Sequence, residues 1–190
     1  MSNSPSFADD DVMHFFRTST THLLEAAAEY GVAHHVALSV VGTERLAGSG
    51  YFRAKIEQER LIRVSGQAYS IVHATRFFEF VRSIADSGTV DGTIHLAPVL
   101  IQPMASDDVA AAVARVAVGP PPRAVREVAG PEQFRLTELV ARGLAATGDP
   151  RRVVADEQAR YFDVLIDEKT LLPGPDAELG RMTFDEFLER

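Results

Sequence analysis

Two short apolar runs, Val36-Ala37-Leu38-Ser39-Val40-Val41 and Tyr69-Ser70-Ile71-Val72, flank one helix-forming segment, and that arrangement leaves few folds open. Apolar runs of this length bounded by turn residues read as strands buried on both faces. A loop carrying Gly42, Gly48 and Gly50 leads from the first run into a predicted helix from about Tyr51 to Val64, which Ser65-Gly66 stops. Strand, helix, strand with short joints is a βαβ unit of a parallel sheet. Ligands of such sheets bind beyond the carboxyl ends of the strands, where both Ser39 and the start of the Tyr51 helix lie.

That helix opens Tyr51-Phe52-Arg53-Ala54-Lys55. Residues four apart share a helix face, so the phenol of Tyr51 and the ammonium of Lys55 are expected side by side. A phenol normally holds its proton to about pH 10, and a neighbouring cation lowers that value toward the range useful for acid–base work. Ser39, across the cleft, would then orient or polarise a carbonyl or carbinol oxygen. The plainer reading is a tyrosine packed at a helix start beside a solvated lysine. The only Gly-x-Gly, Gly48-Ser49-Gly50, has Arg53 at the third glycine position and follows the Ser39 strand, so it reads as loop punctuation.

A first helix is predicted from Asp9 to about Tyr30, with Val12, Phe15, Phe16, Leu23, Leu24 and Ala27 at the helical period. Asp9, Asp10 and Asp11 suit its positive N-terminus better than they suit a metal. Beyond the second strand, a helix is expected from about Arg76 to Asp86. Two short strands follow around an Asp91-Gly92 turn, then a helix capped by Asp107 or Asp108. Gly119-Pro120-Pro121-Pro122 reads as a stiff connector, Ala124 to Val128 as a strand, and Leu136 to Ala146 and Phe184 to Leu188 as helices. His34 and His35 would face opposite ways on a strand and cannot pinch one metal. Ser39 has no Gly-x-Ser-x-Gly elbow, which argues against a hydrolase triad. Phe77 and Phe78 could line a pocket for a flat apolar ligand, or simply pack the core.

With 46% hydrophobic and 24% charged residues, the 190-residue chain has ordinary globular composition and room for a sizeable core. Zero cysteines exclude disulfides, thiolate metal sites and cysteine nucleophiles together. A net charge of −8 argues against nucleic acid as a partner. No apolar run is long enough for a membrane helix and no secretory signal is visible, so a cytoplasmic location is expected.

Four separated segments resemble one family in the right order: His35 to Gly42, Gly50 to Glu59, Ser65 to Phe78 and Ile101 to Ala110. The family is the short-chain dehydrogenase/reductases, in their atypical NmrA-like branch. The resemblance implies Tyr51 as catalytic acid/base, Lys55 as its activator and a ligand of the nicotinamide ribose, and Ser39 as the group that polarises the substrate. It implies NAD or NADP as cofactor, with Asn3, Ser4 and His73 near it, although His73 stands where the family usually has arginine. Phe77, Phe78 and Gln102 would line the substrate pocket; no metal is implied. The family opens with a strand and a Gly-rich turn that cradles pyrophosphate, whereas Asn3-Ser4-Pro5-Ser6-Phe7 looks like the loop after its fourth strand.

The expected architecture is a Rossmann-like α/β fold, a parallel sheet lacking its first strands and Gly-rich turn. Residues 1–118 would form the partial NAD(P)-binding part and 119–190 a C-terminal α+β lobe on the substrate side, the two joined as one continuous domain. A start codon assigned too late is the expected origin of the short N-terminus, and the Ser39 strand should be left as an unpartnered edge. Two functions follow from the resemblance: an NAD(P)-dependent oxidoreductase acting on a small carbonyl or alcohol, or a non-catalytic cofactor-sensing protein. A third reading is a degenerate product without independent function. The expected partner is a small molecule, with neither nucleic acid nor membrane, and self-association is left open.

Overall fold

The computed structural model describes residues 3–190. The long first helix, α1 (Asp9–Glu29), buries Val12, Phe16, Thr20, Leu24 and Ala27 along one stripe. Its N-cap is Ala8, with no side-chain cap, so the three first-turn aspartates act through the helix dipole. Gly31, at φ 64°, turns the chain out of the helix. There follow β1 (His35–Val40), α2 (Gly50–Val64) and β2 (Tyr69–Ala74), each within about two residues of its predicted bounds.

β1 and β2 run parallel with Ser39 opposite His73. β6 (Ala124–Ala129) adds to β2 in parallel, and the short β9 (Glu178–Leu179) adds to β6, giving the order β1-β2-β6-β9. Strands from both sides of residue 118 therefore share one sheet. Alternation along β2 divides its faces. Ile71 packs with Leu24 of α1 and Ile62 of α2, while Val72 and Ala74 pack with Met104 and with Val109 and Ala112 of α4 (Ser106–Val118). Helices thus cover both faces of a parallel sheet. Among the described residues β1 has no partner on its outer side, as expected for an edge.

The remaining elements are α3 (Val81–Ser87), a hairpin of β3 (Thr89–Val90) and β4 (Thr93–Leu96), β5 (Leu100–Ile101), β7 (Phe134–Arg135), α5 (Leu136–Ala146), β8 (Arg152–Ala155) and α6 (Phe184–Leu188). Asp91 and Gly92, at φ 48° and 78°, make the hairpin turn with the left-handed conformations a two-residue connection demands. The largest core joins α3, β4, β5, α5 and α6 through Phe78, Ile94, Ile101, Leu136, Leu139 and Phe184.

Two local expectations are corrected. The helix predicted from Arg76 is replaced by a 3-10 turn at Phe78–Phe80 and the shorter α3. Arg76 O accepts from Met104 N and Met104 O from Phe78 N, each at 2.9 Å, which holds Phe77 extended. Neither Asp107 nor Asp108 caps α4. Its N-cap is Ala105, and the first N–H of the helix is met by Glu79, whose carboxylate accepts from Ser106 N at 3.1 Å. Asp108 instead accepts from the backbone of Arg181 and Met182 at 2.8 and 2.9 Å.

Gly130 marks the tightest backbone approach in the fold. A β-carbon there would lie 1.8 Å from the carbonyl oxygen of Pro103, an atom of the main chain that no rotamer change can remove. Gly130→Ala is expected to destabilise the protein by about 3 kcal/mol or more. Urea unfolding followed by circular dichroism checks this.

Candidate active site at the start of the second helix

Tyr51 lies in the first turn of α2, half-buried in an aromatic cluster. Its ring centroid is 5.7 Å from Phe7, 6.0 Å from Phe16, 5.3 Å from Phe52 and 5.7 Å from Phe162. Its hydroxyl makes no hydrogen bond to the described residues. Burial raises the phenol above its ordinary pKa; the nearby Arg76 charge opposes that rise and Tyr161 adds to it. The phenol is therefore protonated at neutral pH and stands as a proton donor.

The cation acting on Tyr51 is Arg76, just beyond the carboxyl end of β2. Its side chain is almost wholly buried. Nη1 donates to Val41 O at 2.6 Å and Nε to the Tyr161 hydroxyl at 3.2 Å. The guanidinium lies 5.5 Å from the Phe52 ring centroid and 5.3 Å from that of Tyr161. Nη2 is buried and has no partner. No carboxylate among the described residues forms an ion pair with Arg76.

Lys55 shares the Tyr51 face of α2 but turns to the sheet. Its Nζ donates to Leu38 O at 3.0 Å and to Gln58 Oε1, and lies 4.7 Å from the Phe16 ring centroid. Burial pulls the ammonium down to about 8, with Glu59 working against the fall. The folded value lies below the ordinary 10.5. Between these values the unfolded chain binds more protons, so stability rises with pH. The rise attributable to Lys55 is expected to be roughly 2–3 kcal/mol. Denaturant unfolding at pH 8 and pH 10 should show it in the wild type and not in Lys55→Met.

One further turn along α2, Glu59 collects the groups that the sequence placed near the cleft. Ser39 Oγ donates to Glu59 Oε1 at 2.6 Å, and His73 Nε2 lies 2.9 Å from the same oxygen. Arg63 Nη2 donates to Oε2 at 2.8 Å. Burial alone would raise this carboxyl; hydrogen bonding and charge from His73, the Ser39 hydroxyl and Arg63 outweigh it and hold it below its usual range. Ser39 is thus engaged about 12 Å along the helix axis from Tyr51 and is not brought to it.

The other candidates are dispersed. Phe77 stacks on Phe80 and packs beside Met104, and Phe78 is buried against Phe184 and Phe187. Gln102 donates to Gly130 O at 2.7 Å and accepts from Gln133 at 3.0 Å. Asn3 Oδ1 accepts from Ser4 N at 3.0 Å, and Ser4 Oγ from Ser6 N at 3.3 Å. At the Gly48-Ser49-Gly50 loop the Asp9 carboxylate occupies the space a β-carbon on Gly50 would need, and Arg53 ties Asp9 to Gly48 O. An acid therefore sits where a phosphate would have to approach. Among the described residues no three potential ligands gather as a metal site, and no helix is long and apolar enough to cross a membrane.

Arg76, Tyr161 and Phe162 are the site residues that sequence reasoning missed. A charged residue directly after an apolar strand was a signal for Arg76. Tyr161 and Phe162 had none, being more than a hundred positions from Tyr51. They form a tight turn closed by Tyr161 N to Val164 O at 2.9 Å and Val164 N to Tyr161 O at 3.1 Å. Phe162 and Asp163 hold φ of 49° and 66° there, a left-handed conformation that Asp tolerates and that is strained for the bulky Phe162.

No protein-family model matches the chain, and no match is found among curated proteins. Solved structures do match. An NADPH-dependent quinone oxidoreductase from Escherichia coli is 21% identical with a TM-score of 0.64, over 90% of this chain and 71% of that one. A dTDP-glucose 4,6-dehydratase double mutant from Streptomyces venezuelae, determined with NAD bound, is 17% identical with a TM-score of 0.72, over 100% and 70%. RMD from Pseudomonas aeruginosa, complexed with NADPH, is 15% identical with a TM-score of 0.65, over 99% and 77%. Likeness at these identities shows the fold alone, a Rossmann-like α/β fold.

Proposed function

We propose that this chain carries the proton-transfer site of an NAD(P)-dependent oxidoreductase acting on a small carbonyl or alcohol. The observation that carries the reading is Tyr51: a protonated, unpartnered phenol in an aromatic enclosure, facing a buried cation, at the ligand-binding end of this fold. In the reductive direction Tyr51 donates its proton to the oxygen of the substrate carbonyl. The positive charge of Arg76 favours the phenolate left behind, and the rings of Phe7, Phe16, Phe52 and Phe162 line the site.

A nicotinamide dinucleotide would supply the hydride. The described residues do not fit its pyrophosphate, since the one Gly-x-Gly loop is filled by Asp9. One observation favours a non-catalytic, ligand-sensing role as second reading: Lys55 is committed to Leu38 O and Gln58 and does not serve Tyr51.

The test is to mix the protein with NADH or NADPH and a panel of quinones and aldehydes, following the absorbance of the reduced nicotinamide. Carbonyl-dependent loss is expected with at least one pair. Dinucleotide binding without any turnover would favour the sensing role, and neither binding nor turnover would refute both readings.

A further inference from the structure

A buried guanidinium is tolerated when its charge is paired and its donors are met. Arg76 satisfies neither condition: Val41 O and the Tyr161 hydroxyl are neutral acceptors, Nη2 has none, and no carboxylate of the described residues pairs with it. The walls around it are rings. Phe52 and Tyr161 flank the guanidinium, and Phe162 joins them to Tyr51, with centroids 5.5 Å from Phe52 and 5.1 Å from Tyr161. Phe162 is 41% exposed and rides on the strained turn, so this covering ring is held less tightly by packing than Phe52 or Tyr161.

We propose that Arg76 anchors the substrate, and that the site takes an aromatic compound bearing a carboxylate, admitted when the Tyr161–Val164 turn lifts Phe162 from Tyr51 and Phe52. The planar fork of arginine matches a carboxylate in two hydrogen bonds, which a single lysine charge cannot do. The rings would sandwich the ligand's own ring, with Tyr51 within the same enclosure. The assignment rests on the oxidoreductase reading for the purpose of the site, while anion binding itself needs neither cofactor nor turnover.

Calorimetric titration of the full chain, without dinucleotide, tests it using benzoate and its neutral counterpart benzamide. Benzoate is expected to bind at least tenfold more tightly than benzamide. Arg76→Gln should lose that preference, and Arg76→Lys, which keeps the charge but not the fork, should lose part of it, with circular dichroism confirming that each is folded. Phe162→Ala should strengthen benzoate binding. Equal binding of the two probes by the wild type overturns the proposal even if no variant folds. So does unchanged benzoate affinity in folded Arg76→Gln; if that variant instead shifts only the pH profile of turnover, Arg76 serves Tyr51 alone. Failure of the dinucleotide assay with benzoate selectivity intact would sink the oxidoreductase reading and leave the anion site standing.

Discussion

Tyr51→Phe is expected to reduce turnover by a factor of roughly 10²–10⁴ while leaving the unfolding free energy within about 0.5 kcal/mol of the wild type. The hydroxyl makes no hydrogen bond to the described residues, so its removal orphans no partner, and the ring that packs against Phe7, Phe16, Phe52 and Phe162 remains. Loss of turnover with unchanged stability is the signature of a group used for its proton alone. Steady-state rates beside urea unfolding curves decide the matter. A variant that turns over like the wild type would remove Tyr51 from the chemistry, and one that keeps ligand binding in a protein without turnover would fit the sensing role.

Glu59→Ala is expected to have the opposite profile, with a stability loss of about 3–5 kcal/mol. The substitution leaves Ser39 and His73 without their shared acceptor and Arg63 without its counter-charge, in a seam where Glu59 is 4% exposed. The pH dependence follows from the same contacts. The Glu59 carboxyl is held below its ordinary 4.5 in the folded protein. Its contribution is therefore complete above pH 4.5 and disappears as pH falls through the lower folded value. Acid unfolding of the wild type should be steeper in this range than that of Glu59→Ala. Identical acid limbs for the two proteins would contradict the assignment.

Much of the architecture was legible because local and global signals agreed. Leu136 to Ala146 and Phe184 to Leu188 are helices at their predicted bounds, having clear periodicity and punctuation. The βαβ unit could be read from two apolar runs and glycine-marked joints. The strands β7, β8 and β9 could not, because two to four residues carry no periodicity and their partners are distant in sequence. The site was legible only as far as one helix could take it. Spacing placed Tyr51 and Lys55 on one face of α2. Where each side chain finds its partner was fixed by the sheet and by the far end of the chain: Lys55 turns to a strand carbonyl, Ser39 to Glu59, and the cation near the phenol comes from beyond β2. The 161–164 turn belongs to the part of the fold that closes last in sequence and gave no local sign of its place.

The main sheet has one more consequence, for how the protein is made. Its spatial order β1-β2-β6-β9 is also the order in which the strands leave the ribosome. Each strand meets a neighbour already synthesised, so the sheet can grow by addition at one border without rearranging its earlier members. The parallel connections are long, and their closure makes each addition slow. Tyr161 and Phe162, which complete the Tyr51 enclosure, are synthesised only after three of these four strands.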